Sequence, residues 1–467
     1  MSLIPGREAV DPVDAGAPGM VPVCDPQRCG AAGCTAVLCR GLGLASNAEA
    51  FERSRRAIPG GVNSSIRAFA AVGGEPYVVA SASGATITDV EGVERFDLVQ
   101  SYGAVILGHA HPAITTAVAE AAVSGTSYGA PTAREMKLAE QIADSVPSCD
   151  LVRFMNSGTE ATSTAVRLAR GVTGRDRIVT FHGNFHGATD ALLAAGGSGV
   201  ATLGLPGTAG VPAGAVAETL VVPYNAVPEL DESVAAVIVE PIAANMGVVA
   251  PAPGFLEGLR AECDRVGAVL IFDEVITGFR IGRGGAQMML GVVPDLTTFG
   301  KVIGGGLPIG AVGGRREIME QLSPLGPVFH AGTLAGNPIA TAAGLAALDR
   351  LGDEVYFELM ARTRHLSALM RDACAAAGFN AAFPVVGTLM GITVGIDGPV
   401  VDFAGATTTD EAAYARFFHA MLAEGVAMAP GAYEAIFVGL AHTDDVIAAI
   451  GEATHRAALA AVSGDRS

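Results

Sequence analysis

Apolar positions fall in two rhythms along this chain, and the rhythms take turns. Short β-branched runs (LVRFM at Leu151, RIVTF at Arg177, TLVV at Thr219, AAVIV at Ala235 and AVLIFD at Ala268) read as buried strands. Between them lie stretches with apolar residues three and four apart. ATSTAVRLAR puts Ala161, Ala165 and Leu168 on one helical face, and PGFLEGLRAECDRVG is amphipathic. Strand alternating with helix predicts an α/β fold with a mostly parallel central sheet and flanking crossover helices.

Ahead of this unit, AEAFERSRRAIPGG predicts a short amphipathic helix stopped by Pro59-Gly60-Gly61, followed by strand-like runs from Pro76 to Val90 and from Glu91. Helices are expected from His111-Pro112 to Ser124 and from Thr132 to Ser145. Beyond Asn337-Pro338, one long Ala/Leu helix to Met370 leads into a C-terminal α+β part. The expected organisation is an extension over 1–46, an N-terminal segment over 47–103, a large ligand-binding domain over 104–345 and a small C-terminal domain over 346–467.

Composition narrows the classes. The 467 residues are half hydrophobic, with 61 glycines and no tryptophan, which suits a packed one- or two-domain protein. A net charge of −18 argues against a nucleic-acid or anionic-membrane surface. No apolar run is long enough to span a bilayer, and Pro5, Glu8, Asp11, Pro12 and Asp14 break up any secretory core, so a cytoplasmic location is expected. Cys24, Cys29, Cys34 and Cys39 recur every five residues in Pro/Gly/Ala-rich text. A disordered extension is the expectation there, and a zinc or iron–sulfur site is its rival.

Chemistry enters with Lys301. Lys137 and Lys301 are the chain's lysines, every other fixed cation being arginine. Lys137 sits in a polar helical stretch, whereas Lys301 lies in TTFGKVIGGG among apolar residues and glycines. Loss of hydration there lowers an ammonium pKa and makes the amine a candidate Schiff-base former; the alternative is a lysine snorkelling from a turn. Ser157-Gly158-Thr159, at a strand-to-helix junction, suits a phosphate on the helix N-terminus, or is an ordinary N-cap. Asp273 ends an apolar strand, where an α/β sheet holds its ligand, and would pair with a protonated ring nitrogen. Together the three describe a pyridoxal phosphate site. Gly300-Lys301 lacks the earlier glycine and following hydroxyl of a nucleotide-phosphate loop, and His182/His186 lack the glutamate of a zinc motif, so no metal is expected.

From about Phe51 to the C-terminus the chain resembles the class III, fold-type I aminotransferases, and within them the aminomutase branch. The matching text includes IPGGVNSSIRAF, ILGHAHP, VRFMNSGTEAT, AGGSGVATLGLP, DEVITGFR, DLTTFGKVIGGGLPIGAVGGRREIM, AGTLAGNP and YEAIF…LAHT. The resemblance implies a pyridoxal/pyridoxamine 5′-phosphate enzyme that moves an amino group within L-glutamate 1-semialdehyde to give 5-aminolevulinate for tetrapyrroles. It implies that Lys301 carries the Schiff base and shuttles protons, that Asp273 faces the pyridine nitrogen, and that Val275 and Phe185 pack on the ring beside His186. Ser157, Gly158 and Thr159 would hold the phosphate, joined by the partner subunit's Thr333 in a homodimer, with Asn245 on the phenolic-oxygen side. Ser64 and Arg67 would meet the substrate carboxylate and Glu434 its amine end, under a loop from Gly196 to Pro212. A contact with the upstream glutamyl-tRNA reductase is also implied.

The chain departs from the family pattern at several positions. Phe185 stands for tyrosine, Tyr102 for tryptophan, His330 for glutamine, Ala244 for glycine and Arg283 for tyrosine. These leave the cofactor expectation intact and open the substrate question. A related aminotransferase with another amino-acid substrate, or a cofactor-binding relative without catalysis, stands beside the aminomutase reading.

Overall fold

The computed structural model of the protein describes residues 44–194 and 208–464. The four N-terminal cysteines, nearly all of the 1–46 extension, and residues 196–207 of the expected closing loop lie outside the described residues.

The first elements are helix α1 (Asn47–Arg55), capped by Ser46, and the strands β1 (Val79–Ser83), β2 (Thr86–Asp89) and β3 (Glu94–Asp97). Helices α2 (Pro112–Val123) and α3 (Ala133–Ser145) follow, and α3 opens on a capping box between Thr132 and Glu135. Next come β4 (Leu151–Met155), α4 (Gly158–Thr173), β5 (Arg177–Phe181), β6 (Thr219–Val222) and β7 (Val234–Val239). Helix α5 (Phe255–Val266), β8 (Val269–Asp273), α6 (Gly285–Leu290), β9 (Leu296–Phe299) and β10 (Gly310–Gly314) complete the alternating part.

Among the described residues these strands form a seven-stranded sheet in the order β4-β10-β9-β8-β7-β5-β6. Pairs from β6 to β9 are parallel, and β10 runs antiparallel to both neighbours. The sheet is therefore mostly parallel, as the alternation predicts. Every residue of β7 and β8 is buried, because helices cover both faces. The two-residue period decides which face each side chain serves. Val237, Val239, Leu270 and Phe272 pack with Leu259 and Cys263 of α5, and Ala236, Ile238 and Ile271 pack with Ala161, Ala165 and Leu168 of α4. Truncating a fully buried Leu259 to alanine costs about 2–5 kcal/mol.

The expected helix after Pro338 is broken. It runs as α7 (Pro338–Leu348) and α8 (Asp353–Ala377), with Gly352 extended at the N-cap and Asp353 and Glu354 in the new first turn. The apolar periodicity continues across the break, so the pattern alone reads as one helix. A second core then joins α8 to α9 (Glu411–Ala423) and α10 (Asp444–Ser463). Its strands are two residues long: β11 (Ala381–Ala382), β12 (Val385–Val386), β13 (Leu389–Met390), β14 (Thr393–Val394), β15 (Val426–Ala427) and β16 (Ile436–Phe437). Strand β15 pairs in parallel with β3, and Phe69, Val72 and Leu98 are buried in the same core, so the 47–103 segment packs into the C-terminal part. Among the described residues, no helix is long and apolar enough to cross a membrane.

Candidate active site

Strands β4, β8 and β9 end around one cavity of about 220 Å³. Ser157 leaves β4 in an extended conformation and caps α4, its hydroxyl accepting from the Glu160 N–H at 3.2 Å. The first N–H groups of α4 have no partner within the helix, and Gly158 and Thr159 line the cavity at that end. A Cβ at Gly158 would press on Val275 Cγ1 at 3.0 Å, so the glycine lets the turn pack closely against Val275. Gly310 of β10 passes beneath the same turn, and a Cβ on it would come within 2.1 Å of the Ser157 carbonyl oxygen.

Asp273 closes β8 and is buried. Its Oδ1 accepts from the Val275 N–H at 3.1 Å and from the hydroxyl of Thr298, its cross-strand neighbour, at 3.0 Å. Its Oδ2 lies 2.7 Å from His186 Nδ1. Glu274, the next residue, turns the other way and fastens the start of α6, accepting from Thr277 Oγ1, Ala286 N, Gln287 N and Gln287 Nε2. The Asp-Glu pair thus splits into one acid for the cavity and one for the fold.

Lys301 follows β9 with φ at 47°, a left-handed conformation that costs a non-glycine residue on the order of 1 kcal/mol. Its side chain is partly accessible and lines the cavity. Burial lowers its ammonium below the ordinary lysine range, while Asp273, Glu240 and Glu434 partly hold it up. The desolvated lysine expected from the sequence is therefore present, with its counter-charges beside it.

The fourth wall is the turn Phe185-His186-Gly187. Gly187 has φ at 84°, and a Cβ on it would strike Thr159 Oγ1 at 2.4 Å, so glycine lets this turn close onto the α4 N-terminus. The Thr162 hydroxyl donates to the His186 carbonyl at 2.7 Å. Phe185 remains 39% exposed at the cavity, with its backbone N–H donating to Glu240 at 2.6 Å. Asn245 also lines the cavity and donates from Nδ2 to Glu240 at 2.9 Å.

The cavity therefore brings together Lys301, Asp273, Val275, the Ser157–Thr159 turn, Phe185, His186 and Asn245. Thr333 lies elsewhere: it is exposed and lines an open surface cavity of about 650 Å³ with Tyr128 and Thr132. Ser64 precedes the 3-10 turn Ser65–Ala68 that carries Arg67, and neither is among the cavity-lining residues. Glu434 is buried, and its charge is felt by Lys301 and by Tyr102, whose phenol is also under the influence of Arg67.

The departures divide in the same way. Phe185 lines the cavity and Tyr102 stands near Glu434 and Arg67. Arg283, expected to affect the pocket, instead points from Nε to Ser145 Oγ at 3.2 Å and from Nη1 to the Leu351 carbonyl at 3.3 Å, tying the end of α3 to the α7–α8 connection. His330 is half-buried near Arg153 and Arg167 and does not line the cavity.

Glu240, Thr298 and Thr162 escaped the sequence reading. Glu240 had a usable signal: it follows the fully buried β7 directly, much as Asp273 closes the fully buried β8. The two threonines had none, being ordinary strand and helix residues.

The residues fit a phosphorylated pyridine aldehyde. A helix start free of side-chain bulk meets an anion, an aromatic face is left uncovered at the cavity, a buried carboxylate meets a ring nitrogen, and a desolvated amine meets the aldehyde. His186 Nε2 is buried and has no partner among the described residues.

The class this fold and site define is confirmed by comparison: the chain belongs to the class-III aminotransferases, whose family pattern matches residues 69–455. Within that class it is similar to the protein named glutamate-1-semialdehyde 2,1-aminomutase from Nitratidesulfovibrio vulgaris (strain DP4). The two are 49% identical over 421 residues, which is 88% of this chain and 98% of that one. Among solved structures, an omega-transaminase from Sphaerobacter thermophilus superposes with a TM-score of 0.82 at 33% identity, covering 90% of this chain and 98% of that one. A transaminase with PLP bound superposes with a TM-score of 0.80 at 31% identity, over 90% of this chain and 98% of that one.

Proposed function

We propose that this chain is a pyridoxal/pyridoxamine 5′-phosphate-dependent aminomutase that converts L-glutamate 1-semialdehyde to 5-aminolevulinate. The observation that carries the chemistry is the placement of the Lys301 amine and the Asp273 carboxylate, from adjacent strand ends, in one cavity with the α4 N-terminus. The substrate follows from the aminomutase name of the relative that shares 49% of its residues over nearly its whole length.

When bound, the cofactor supplies an electron sink that stabilises negative charge on a substrate carbon. Asp273 keeps that sink effective by holding a proton at the ring nitrogen, and Thr298, Val275 and His186 fix the carboxylate for the task. Lys301 Nζ takes and returns protons, and its burial shifts the balance towards the neutral amine. Ser157, Gly158 and Thr159 would hold the phosphate, Val275 and Phe185 would pack against the ring, and Asn245 would lie on the side of the phenolic oxygen. Arg67 and Ser64 hold the substrate carboxylate and Glu434 its amine end.

The working form in this reading is a cytoplasmic homodimer in which the partner subunit's Thr333 reaches the phosphate. Exposure of Thr333 beside the exposed Tyr128 and Leu334 supports it. A handover from a glutamyl-tRNA reductase would shield the reactive aldehyde.

The test is a product assay with glutamate 1-semialdehyde as sole substrate. Many turnovers to 5-aminolevulinate, without any amino donor or acceptor, are expected. Turnover only when a second amino acid or keto acid is supplied would make the chain an aminotransferase with a different substrate, a reading that Tyr102 and Phe185 favour.

A further inference from the structure

Glu240 is the buried acid of the cavity that the proposed chemistry leaves without work. It follows β7 as Asp273 closes β8, and it is 4% exposed. Its carboxylate accepts three hydrogen bonds, all from N–H groups: Phe185 N at 2.6 Å and Asn245 Nδ2 at 2.9 Å on Oε1, and Ala244 N at 3.0 Å on Oε2. Its own backbone is pinned as well, with its N–H donating to Asn184 Oδ1 at 2.9 Å and the Tyr224 hydroxyl donating to its carbonyl at 3.3 Å. One side chain thus ties together two chain segments, 184–186 and 244–245, that reach the cavity from different strands.

We infer that Glu240 is a positioning residue for the cofactor: through Asn245 it sets which end of an amide faces the ring, and through Phe185 it sets where the stacking aromatic stands. The inference rests on the cofactor reading given above.

An ionised carboxylate has no proton to give, so the Asn245 amide has to turn its nitrogen towards it. The same oxygen holds the Phe185 backbone, so the amide and the aromatic ring are fixed against one point. Burial pushes the Glu240 carboxyl up to about 7, with Asp273 adding to the push, while His186 and the N–H donors oppose it. Those three donors favour the ionised form, the form the geometry requires. A glutamine at 240 keeps the volume but brings a donor where only acceptors fit, so at least one N–H faces another N–H.

The test is a double-mutant cycle read as pyridoxal phosphate affinity. The dissociation constant is measured by titrating cofactor-stripped full-length protein and following absorbance. Glu240→Gln and Asn245→Ala are each expected to weaken binding about tenfold, and the double variant no more than about tenfold in total, because one residue acts through the other. Glu240→Gln should also displace the visible maximum of the Lys301-dependent band, which a purely structural role would leave in place. Losses that multiply to about a hundredfold, or Glu240→Gln binding within twofold of the parent with an unmoved band, overturn the inference. If Glu240→Gln does not fold, Glu240→Asp, which keeps the charge but withdraws it by one methylene, carries the same expectations and the same overturning results. A parent protein without a Lys301-dependent band defeats the cofactor reading itself; a parent that binds normally beside an unaffected variant defeats only the role of Glu240.

Discussion

Asp273 and Lys301 stand at the ends of neighbouring, fully buried strands, whereas Arg67 stands on a 3-10 turn and Glu434 precedes a two-residue strand. The cofactor side is held by a continuous hydrogen-bonded sheet covered on both faces. The side proposed for the substrate is assembled from turns and short strands braced by a helical core. The difference teaches where each kind of tolerance lies. Groups that exchange protons need fixed geometry, and strand ends supply it. Groups that only grip a substrate's ends can sit on turns, where replacement disturbs little else. The departures only partly follow this division: Tyr102 lies near Arg67 and Glu434, whereas Phe185 lines the cofactor cavity itself.

The sharpest break of this contrast is at Lys301. Lys301→Ala should lower turnover at least about 10³-fold and abolish the visible band, while Lys137→Ala leaves both unchanged; absorbance and a product assay check this. Asp273→Asn, which keeps the shape and loses the charge, should cost on the order of 10²–10³ in turnover with little change in melting temperature. A residual rate near that of the parent would remove the sheet's claim to the chemistry.

On the other side, acid should weaken the fold through His442. Burial lowers its imidazole to about 4, against the smaller upward pull of Asp97, and the ring is held neutral at Nδ1, which accepts from the Gly439 N–H at 3.0 Å. Its folded pKa lies below its unfolded one, so the unfolded chain binds more protons between them. Stability should therefore be lost as pH falls from about 6.5 to about 4, by about 3 kcal/mol, and denaturant melts of His442→Gln should lack that slope.

Arg67→Ala should raise KM about tenfold to a hundredfold while kcat falls less, because the contact proposed for it would be made in ground and transition states alike; steady-state kinetics decide. The smallest effect belongs to Arg283→Ala. With its bonds running to Ser145 and Leu351, it should cost about 1 kcal/mol of stability and leave KM unmoved. A changed KM would place Arg283 back among the specificity residues.

How much of this was readable follows the same line. Strands β4 to β8, α4 and its Ser157 cap, and the candidacy of Asp273 were readable from runs of buried residues and from where they end, and that of Lys301 from its apolar, glycine-rich surroundings; β9 (Leu296–Phe299) and the glycine-rich β10 (Gly310–Gly314) were not read as strands. The break at Gly352 was not, because apolar spacing carries on through it while only the backbone changes direction. Nor was the placement of Arg283, since nothing local distinguishes an arginine that reaches a hydroxyl and a carbonyl from one that reaches a pocket. Ser64, Arg67, Glu434 and Thr333 had no local signal and rest on the family resemblance. Two-residue strands such as β15 are too short to leave a period.

The pairing of β3 with β15 also bears on the order in which the molecule forms during synthesis. Phe96 and Val426 meet from roughly 330 residues apart, a closure whose entropic cost has to be met by contacts already in place. The strand that carries Phe96 leaves the ribosome early and has no partner on its outer edge until almost the whole chain has followed. The sheet around Lys301 can pair as it emerges, but the turn that carries Arg67 stays tied to a segment still waiting for its core. Cofactor capture can thus precede completion of the substrate side, and a chain halted before Val426 would hold a phosphate cradle with no grip on an amino acid.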